Sequence, residues 1–379
     1  MALKLKTDWI LFTTIVIMVF FGAVMVYSAS SVMADLRYGN TYYFIERQVF
    51  WVVIGIGVFM LMKRTHYKSL QHPGVAFAFM SMVLIALVAV YFLDARQHRW
   101  IRLGPGGLQP SELAKPALAV FLAYFISLRA RAINDKHTLF PALMAVGLVT
   151  AGVAVADLGT AIVLMCTAAA IFFVAGLEFR YCLVVVLIAL VGVGFFVAQR
   201  PYRLRRVIEF VDPGLKRTMV LDKTGSIQKL LAKSLVNKDT NYQLTQSKIA
   251  VGVGGVAGQG LMQGRQKLLY LPEAHTDTIY AVVGEELGLI GTCGVLIAFS
   301  IILWRGIRAA IFIPDDFGRY LALALTTMLV VQGFMNMSVV LGMMPTKGIP
   351  LPMISFGGSS LVSTLGSLGL LLNISEHAG

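Results

Sequence analysis

Residues 270–303 read "YLPEAHTDTIYAVVGEELGLIGTCGVLIAFSIIL", and two features of this stretch decide the architecture. From Ile279 to Leu303 the chain is apolar and long enough to cross a hydrocarbon core of about 30 Å as a helix, which takes roughly 20 residues. Before and inside that run stand Glu273, His275, Asp277, Glu285 and Glu286. Ionisable groups at the edge of a membrane are costly, and the cost marks them as functional suspects.

Working outward, similar runs recur from end to end: Trp9–Tyr27, Val49–Met62, Val75–Leu93, Leu113–Leu128, Leu139–Ala156, Leu158–Leu177, Tyr181–Ala198, Tyr320–Leu341 and Met353–Leu372. The chain is 58% hydrophobic and 13% charged, with a mean hydropathy of +0.78. A soluble domain is about a quarter charged. The chain is therefore expected to be an all-α polytopic membrane protein with ten transmembrane helices. No soluble-like block interrupts the runs, so residues 1–379 read as a single integral membrane domain.

A cytoplasmic N-terminus puts Lys63, Arg64, Lys68, Arg129, Arg131, Lys136, Arg180, Arg305 and Arg308 in cytoplasmic loops. Ten spans return the C-terminus to that side and leave 199–278 as a large extracytoplasmic loop between helices 7 and 8. This loop is basic, but the positive-inside rule counts short loops, and a polyanionic lipid headgroup would give the charge a purpose. The net charge of +13 thus points to topology or anionic lipid. Nucleic acid is a poor fit, because no basic stripe interleaves with aromatics. Cys166, Cys182 and Cys293 show neither a metal-ligand spacing nor a disulfide framework. The first run, with "YSASS" behind it, is too long for the core of a cleaved signal and reads as a signal anchor.

Two stretches inside the loop carry patterns. "GSIQKLLAKSLVNK" (Gly225–Lys238) spaces its leucines helically, as an interfacial helix or a helix packed on the protein would. "GVGGVA" (Gly252–Ala257) matches the loosest dinucleotide fingerprint, yet it follows the helix-like "QLTQSKIA" and no βαβ pattern surrounds it. Its glycines, continued by Gly258, Gly260 and Gly264, are expected to let a re-entrant or bent backbone approach closely.

The remaining suspects are Glu112, Lys115, Asp157, Arg265, Lys267 and Lys347. Each has a structural alternative as half of an internal ion pair. Asp277 stands apart, because it sits where the loop meets the eighth span. A carboxylate there can take a proton from a sugar hydroxyl while nearby cations steady a departing phosphate. His275 is open to metal binding through a lone H-x-D spacing, or to a role as a hydrogen-bonded structural histidine.

"RWIRLGPGGLQPSELAK", "DLGTA", "YQLTQSKIAVGVGG", "GQGLMQGRQKLLYLPEAHTD", "VVGEELGLIG" and "PTKGIPLPMISFGGSS" follow in this order from Arg99 to Ser360. Together they resemble the SEDS family, the FtsW and RodA glycosyltransferases of bacterial cell-wall synthesis, with "RQKLLYLPEAHTD" and "PTKGIPLP" nearer the FtsW branch. The resemblance implies an enzyme of the bacterial cytoplasmic membrane that polymerises lipid II into glycan strands. It also implies a class B penicillin-binding protein as partner, among other divisome or elongasome membrane proteins.

The family's essential aspartate falls on Asp277, the expected general base for an inverting transfer. Arg265, Lys267 and Lys347 are expected to neutralise the pyrophosphate, with a divalent cation, Mg or Mn, as an option. Glu112, Lys115, Glu273, His275 and Ser355 complete the candidate substrate and pyrophosphate set, and Asp157, Gly357 and Gly358 are given supporting roles. Gly357 and Gly358 serve either close helix packing or phosphate binding. Arg203, Arg205 and Arg206 rank lower, for loop folding or headgroup attraction. This sequence departs from the family at Val155 and Ala156, where Glu-Pro is usual, at Phe356, where tyrosine is commoner, and in a longer stretch over 214–240. A lipid II flippase, which needs a polar path across the membrane, and a non-catalytic scaffold, which does not need Asp277, are the rival readings.

Overall fold

The computed structural model describes residues 7–94, 99–103, 106–129, 132–199, 201–212, 239–268, 270–346 and 348–378. Lys347 and the Gly225–Lys238 stretch lie outside the described residues. Every apolar run falls on a helix: α1 (Trp9–Tyr38), α2 (Tyr43–Arg64), α3 (Pro73–Leu93), α4 (Pro110–Ser127), α5 (Lys136–Ala156), α6 (Leu158–Val174) and α7 (Phe179–Ala198). The 199–278 segment supplies α8 (Pro201–Val211) and α9 (Asp239–Gly254), and the chain ends with α10 (Ile279–Phe312), α11 (Asp316–Val340) and α12 (Gly358–His377). Among the described residues, eight of these helices are long and apolar enough to cross a membrane, and α6 is a shorter apolar helix. The fold is a multi-pass membrane bundle. A two-stranded antiparallel hairpin, β1 (Ile101–Leu103) with β2 (Gly106–Leu108), pairs Arg102 with Gly107 between α3 and α4.

Aspartates start three of the helices by accepting orphan amide hydrogens. Asp8 takes the Leu11 amide at 3.2 Å, Asp157 takes those of Gly159 and Thr160 at 3.0 and 3.1 Å, and Asp315 takes that of Gly318 at 2.9 Å. α11 is largely enclosed, surrounded by α4, α6, α10 and α12, while α2 packs along α12. α7 buries none of its side chains and touches mainly α6 and α8. Cys166 and Cys293 are exposed, and Cys182 is half-buried.

Two of the boundaries that differ from expectation have a visible cause. The first helix continues past Tyr27 to Tyr38, because "YSASS" is buried against α10, with Ser28 donating to Glu286 at 2.7 Å. The last helix starts at Gly358 rather than Met353, since Met353 adopts a positive φ of 67° and the preceding residues fold back onto the 270–278 loop.

α10 is broken at Gly288, whose φ of 63° is outside the helical region. The glycine-rich chain after α9 fills the break. Gln259 and Gly260 amides donate to the Glu285 and Glu286 carbonyls at 2.9 and 3.0 Å, and Leu289 and Ile290 amides donate to the Gly255 and Val256 carbonyls at 2.9 and 3.3 Å. Four groups that would have bonded within the helix are thus satisfied by the crossing segment, which is the condition for breaking a helix at membrane depth. A side chain at Gly258 (φ 81°) would collide with the Glu286 carbonyl, and one at Gly254 with the Gly284 carbonyl. The close-approach reading of "GVGGVAGQG" holds for these positions.

Candidate active site

Asp277 lies in the turn that leads into α10, at one end of the bundle. The turn is shaped by Glu273, whose positive φ of 53° brings its carbonyl to the Thr276 amide at 3.1 Å and the Thr278 hydroxyl at 3.1 Å. A second loop, 341–357, is fastened over it. Ser355 donates to the Thr276 carbonyl at 2.6 Å and accepts from the Leu351 amide at 2.8 Å, and the Phe356 amide donates to the His275 carbonyl at 2.9 Å. Asn336 of α11 ties both loops, donating to the Asp277 carbonyl at 2.8 Å and the Ile349 carbonyl at 2.7 Å. Gly348 then sits so close that a Cβ there would be 2.6 Å from Asp277 Oδ2. These bonds fix the backbone of Asp277 from three directions and leave its carboxylate pointed at a small cleft bordered by Gln243 and Ser247 of α9 and by Thr346.

The electrostatics follow from that placement. Asp277 keeps an edge at solvent, but protein surrounds it, and burial pushes its carboxyl from 3.8 up to about 6. Arg99 and Arg206 oppose the shift, while Glu273 and Asp157 add to it. Arg99, in the segment before β1, reaches Asp157 Oδ2 at 3.3 Å. Asp157 is otherwise occupied by the first turn of α6, including the Thr160 hydroxyl at 2.8 Å. Arg206 of α8 reaches the Thr346 carbonyl at 3.4 Å. The site therefore holds a largely enclosed carboxyl with a raised pKa under the influence of two guanidiniums, each delivered by a different part of the chain.

Several expected site residues are placed elsewhere. Lys267 is 4% exposed and paired with the wholly buried Glu286 at 2.6 Å, with Ser28 at 3.0 Å. Its charge is already matched, which corrects the expectation that it neutralises pyrophosphate. Glu112 and Lys115 are paired at 2.8 Å deep in the bundle, where Lys115 also meets Gln332 at 2.6 Å. Gln332 passes the connection to the Pro350 carbonyl at 2.9 Å, so this pair braces the 341–357 loop and does not face substrate. Glu285 accepts from the Arg265 and Gln266 amides at 2.6 and 3.0 Å, and Glu286 accepts from the Met262 amide at 3.1 Å. The acids of "GEELG" thereby hold up the re-entrant segment.

His275 is enclosed between Phe44, at 4.4 Å between ring centroids, and Phe356, at 5.6 Å. Burial lowers its pKa, and its Nδ1 has no hydrogen-bond partner among the described residues. It is packed by aromatics, and the hydrogen bond expected of a structural histidine is not made through Nδ1. Ser355 is a clasp between loops, and Glu273 is exposed beside the site. Arg265 is exposed and remains available to an anion. Gly358 abuts the Trp51 indole with no space for a Cβ, which favours the packing role of the small residues. Arg203 caps α5, donating to the Ala154 and Val155 carbonyls at 3.0 Å, and Arg205 pairs with Glu209 at 2.5 Å. Loop folding therefore accounts for Arg203 and Arg205.

Arg99, Arg206, Asn336 and Gly348 were not among the expected site residues. Asn336 carried a signal, as an amide inside an apolar span, and Gly348 lay within the quoted "PTKG". Among the described residues no three His, Cys, Asp or Glu side chains gather as metal ligands.

A family model described as "Cell cycle protein" and named for FtsW, RodA and SpoVE matches residues 8–379. The protein described as probable peptidoglycan glycosyltransferase FtsW of Geobacter sp. (strain M18) is 39% identical, covering 98% of this chain and 97% of its own. Stage V sporulation protein E of Bacillus subtilis (strain 168) is 36% identical, covering 99% and 98%. Among solved structures, one reported as "Structural coordination of polymerization and crosslinking by a peptidoglycan synthase complex" is similar with a TM-score of 0.74 at 27% identity, covering 98% of both chains. Thermus thermophilus rod shape determining protein RodA is similar in fold, with a TM-score of 0.68 at 24% identity, covering 99% and 98%.

Proposed function

This chain belongs to the FtsW, RodA and SpoVE family and is a peptidoglycan glycosyltransferase, and we propose that it polymerises lipid II with Asp277 as its general base. The proposal rests chiefly on one observation: the Asp277 backbone is tied in place and its largely enclosed carboxyl, with a raised pKa, borders a cleft within electrostatic reach of Arg99 and Arg206.

In this reading the GlcNAc 4-hydroxyl of one lipid II attacks C1 of the MurNAc of another. The hydroxyl proton passes to the Asp277 carboxylate as the O4–C1 bond forms, and the bond from C1 to the pyrophosphate oxygen breaks with inversion. Undecaprenyl pyrophosphate leaves as an anion, so it needs charge neutralisation more than a proton. A base with a pKa of about 6 is mostly ionised at pH 7 and still accepts a proton readily. Arg99 and Arg206, with the exposed Arg265, are the cations in place for the leaving group. Lys347 remains a candidate from sequence.

Burial of the acids and bases in matched pairs favours an enzyme over a flippase. Glu112, Lys115, Glu286 and Lys267 satisfy one another and so do not line a polar path through the bundle. Asp157 has its oxygens occupied by α6 and Arg99, so the donor set does not build a protein-held metal site. A divalent cation, Mg²⁺ or Mn²⁺, would have to arrive on the substrate's own pyrophosphate, and no step here depends on it.

The reading places both termini in the cytoplasm, ten spans in the bacterial cytoplasmic membrane and the 199–278 segment outside, with Asp277 at the outer face. A class B penicillin-binding protein of the division machinery is the proposed partner. Likeness to the peptidoglycan synthase complex and to FtsW proteins supports both the partner and the division role. The test is glycan-strand formation from fluorescent lipid II by the purified chain with its penicillin-binding partner. Wild type makes polymer and Asp277→Ala makes none while lipid II still binds. Polymer from Asp277→Ala at wild-type rate removes the general base, and transbilayer movement of lipid II without polymer replaces the enzyme by a flippase.

A further inference from the structure

The far end of the bundle holds a cavity that the polymerase reading does not use. Arg305 lies 26 residues beyond Ile279 on α10, about 40 Å along the axis at 1.5 Å per residue. There the start of α1 and the ends of α10 and α12 enclose a cavity of about 240 Å³, bordered by Asp8, Arg305, Arg308, Ala309, Phe312 and Ser375. A single water needs about 10–15 Å³, so this space suits a larger group.

Its charge is not balanced. Asp8 is saturated: Oδ2 accepts from Arg305 Nη2 at 2.6 Å and Nε at 2.8 Å and from the Ser375 hydroxyl at 2.6 Å, and Oδ1 accepts from the Leu11 amide. Among the described lining residues, two guanidiniums against one carboxylate leave one net positive charge. Arg308 makes no ion pair among the described residues; its guanidinium is exposed and lies 5.5 Å from the Phe312 ring centroid.

The surroundings fix the depth. Trp9, Trp304, Ile311 and Phe312 all turn outward beside the cavity. Tryptophan and other aromatic side chains concentrate at the boundary between headgroups and acyl chains. The cavity thus opens at headgroup level, with a cation inside and an apolar, aromatic wall outside. Basic pockets between helices at that level hold lipid phosphates.

We propose that this cavity binds the phosphate of an anionic glycerophospholipid in the leaflet opposite Asp277, with Arg308 as the contacting cation and Phe312 lying along the acyl chains. The Asp8–Arg305–Ser375 cluster is the rigid floor that keeps Arg308 unmatched. The assignment concerns a site distinct from the active centre and does not rest on the polymerase reading.

The experiment is native mass spectrometry of the full-length chain released from mixed micelles containing phosphatidylglycerol, with phosphatidylcholine as the zwitterionic comparison. Wild type should retain phosphatidylglycerol in preference to phosphatidylcholine. Arg308→Gln should lower that retention about fivefold, the equivalent of about 1 kcal/mol for one cation at a membrane surface. Arg308→Lys should keep most of it, and Arg129→Gln, an exposed arginine in the turn after α4, should keep all of it. Arg308 is exposed, so unchanged melting of the variants would separate lost binding from lost fold. Equal retention of the two lipids, or retention unaffected by Arg308→Gln, overturns the site. Displacement of the lipid by millimolar inorganic phosphate overturns the lipid assignment and leaves a simple anion pocket.

Discussion

Replacing Asp277 by asparagine should cost activity and add stability at once, and the structure gives the size of the second effect. The carboxyl titrates at about 6 in the fold against an ordinary value of 3.8, a difference of about two units at 1.36 kcal/mol each. Keeping Asp277 ionised at pH 7 therefore costs the folded state about 3 kcal/mol at most. A raised carboxyl pKa means that this cost is absent below pH 3.8, grows as pH rises towards about 6, and stays constant above it.

Asparagine is close in size and carries no charge. Asp277→Asn should therefore melt higher by roughly 5 °C at pH 7.5, with no difference at the lowest pH the fold survives. Polymerisation should fall by about 10²–10⁴. The assay is thermal melting across pH beside lipid II turnover by the same preparations. A variant that is inactive and also less stable would refute the reasoning, because the carboxylate would then be bonded as a structural group.

Three further outcomes follow from the geometry. Arg99→Gln removes a cation that holds the Asp277 pKa down, so the acid limb of the rate–pH profile should move to higher pH and maximal turnover should fall; an unmoved limb would show that Arg99 does not reach Asp277 electrostatically. Lys267→Met strands the buried Glu286 carboxylate and should destabilise by about 3–5 kcal/mol, whereas Lys267→Met with Glu286→Leu should recover much of the loss in thermal melting. Gly258→Ala meets both a positive φ and the Glu286 carbonyl, so it should lower the melting temperature and release the 259–266 amides to faster hydrogen exchange; an unchanged protein would mean that the crossing segment is not what holds the α10 break.

The sequence by itself determined the membrane class, the ten apolar runs, the close-approach role of the glycine series and the identity of Asp277 as the residue to watch. These are legible because they are local. Twenty apolar residues have few uses, a glycine after a helix frees the backbone, and a carboxylate at a span's edge is costly whatever surrounds it.

Only the tertiary structure decided which charges stand near Asp277. Lys267 and Lys115 read like phosphate ligands in sequence, yet the fold matches one with Glu286 and the other with Glu112. Arg206 read as a loop charge and Arg99 carried no role in sequence, yet α8 and the segment before β1 bring them near Asp277, 71 and 178 residues away in the chain. Pairing depends on distance through space and on burial, and neither is encoded in the spacing of residues along one helix. The pKa of Asp277 has the same origin: it is raised by the protein packed around the carboxylate, and most of that protein is contributed by segments remote in sequence.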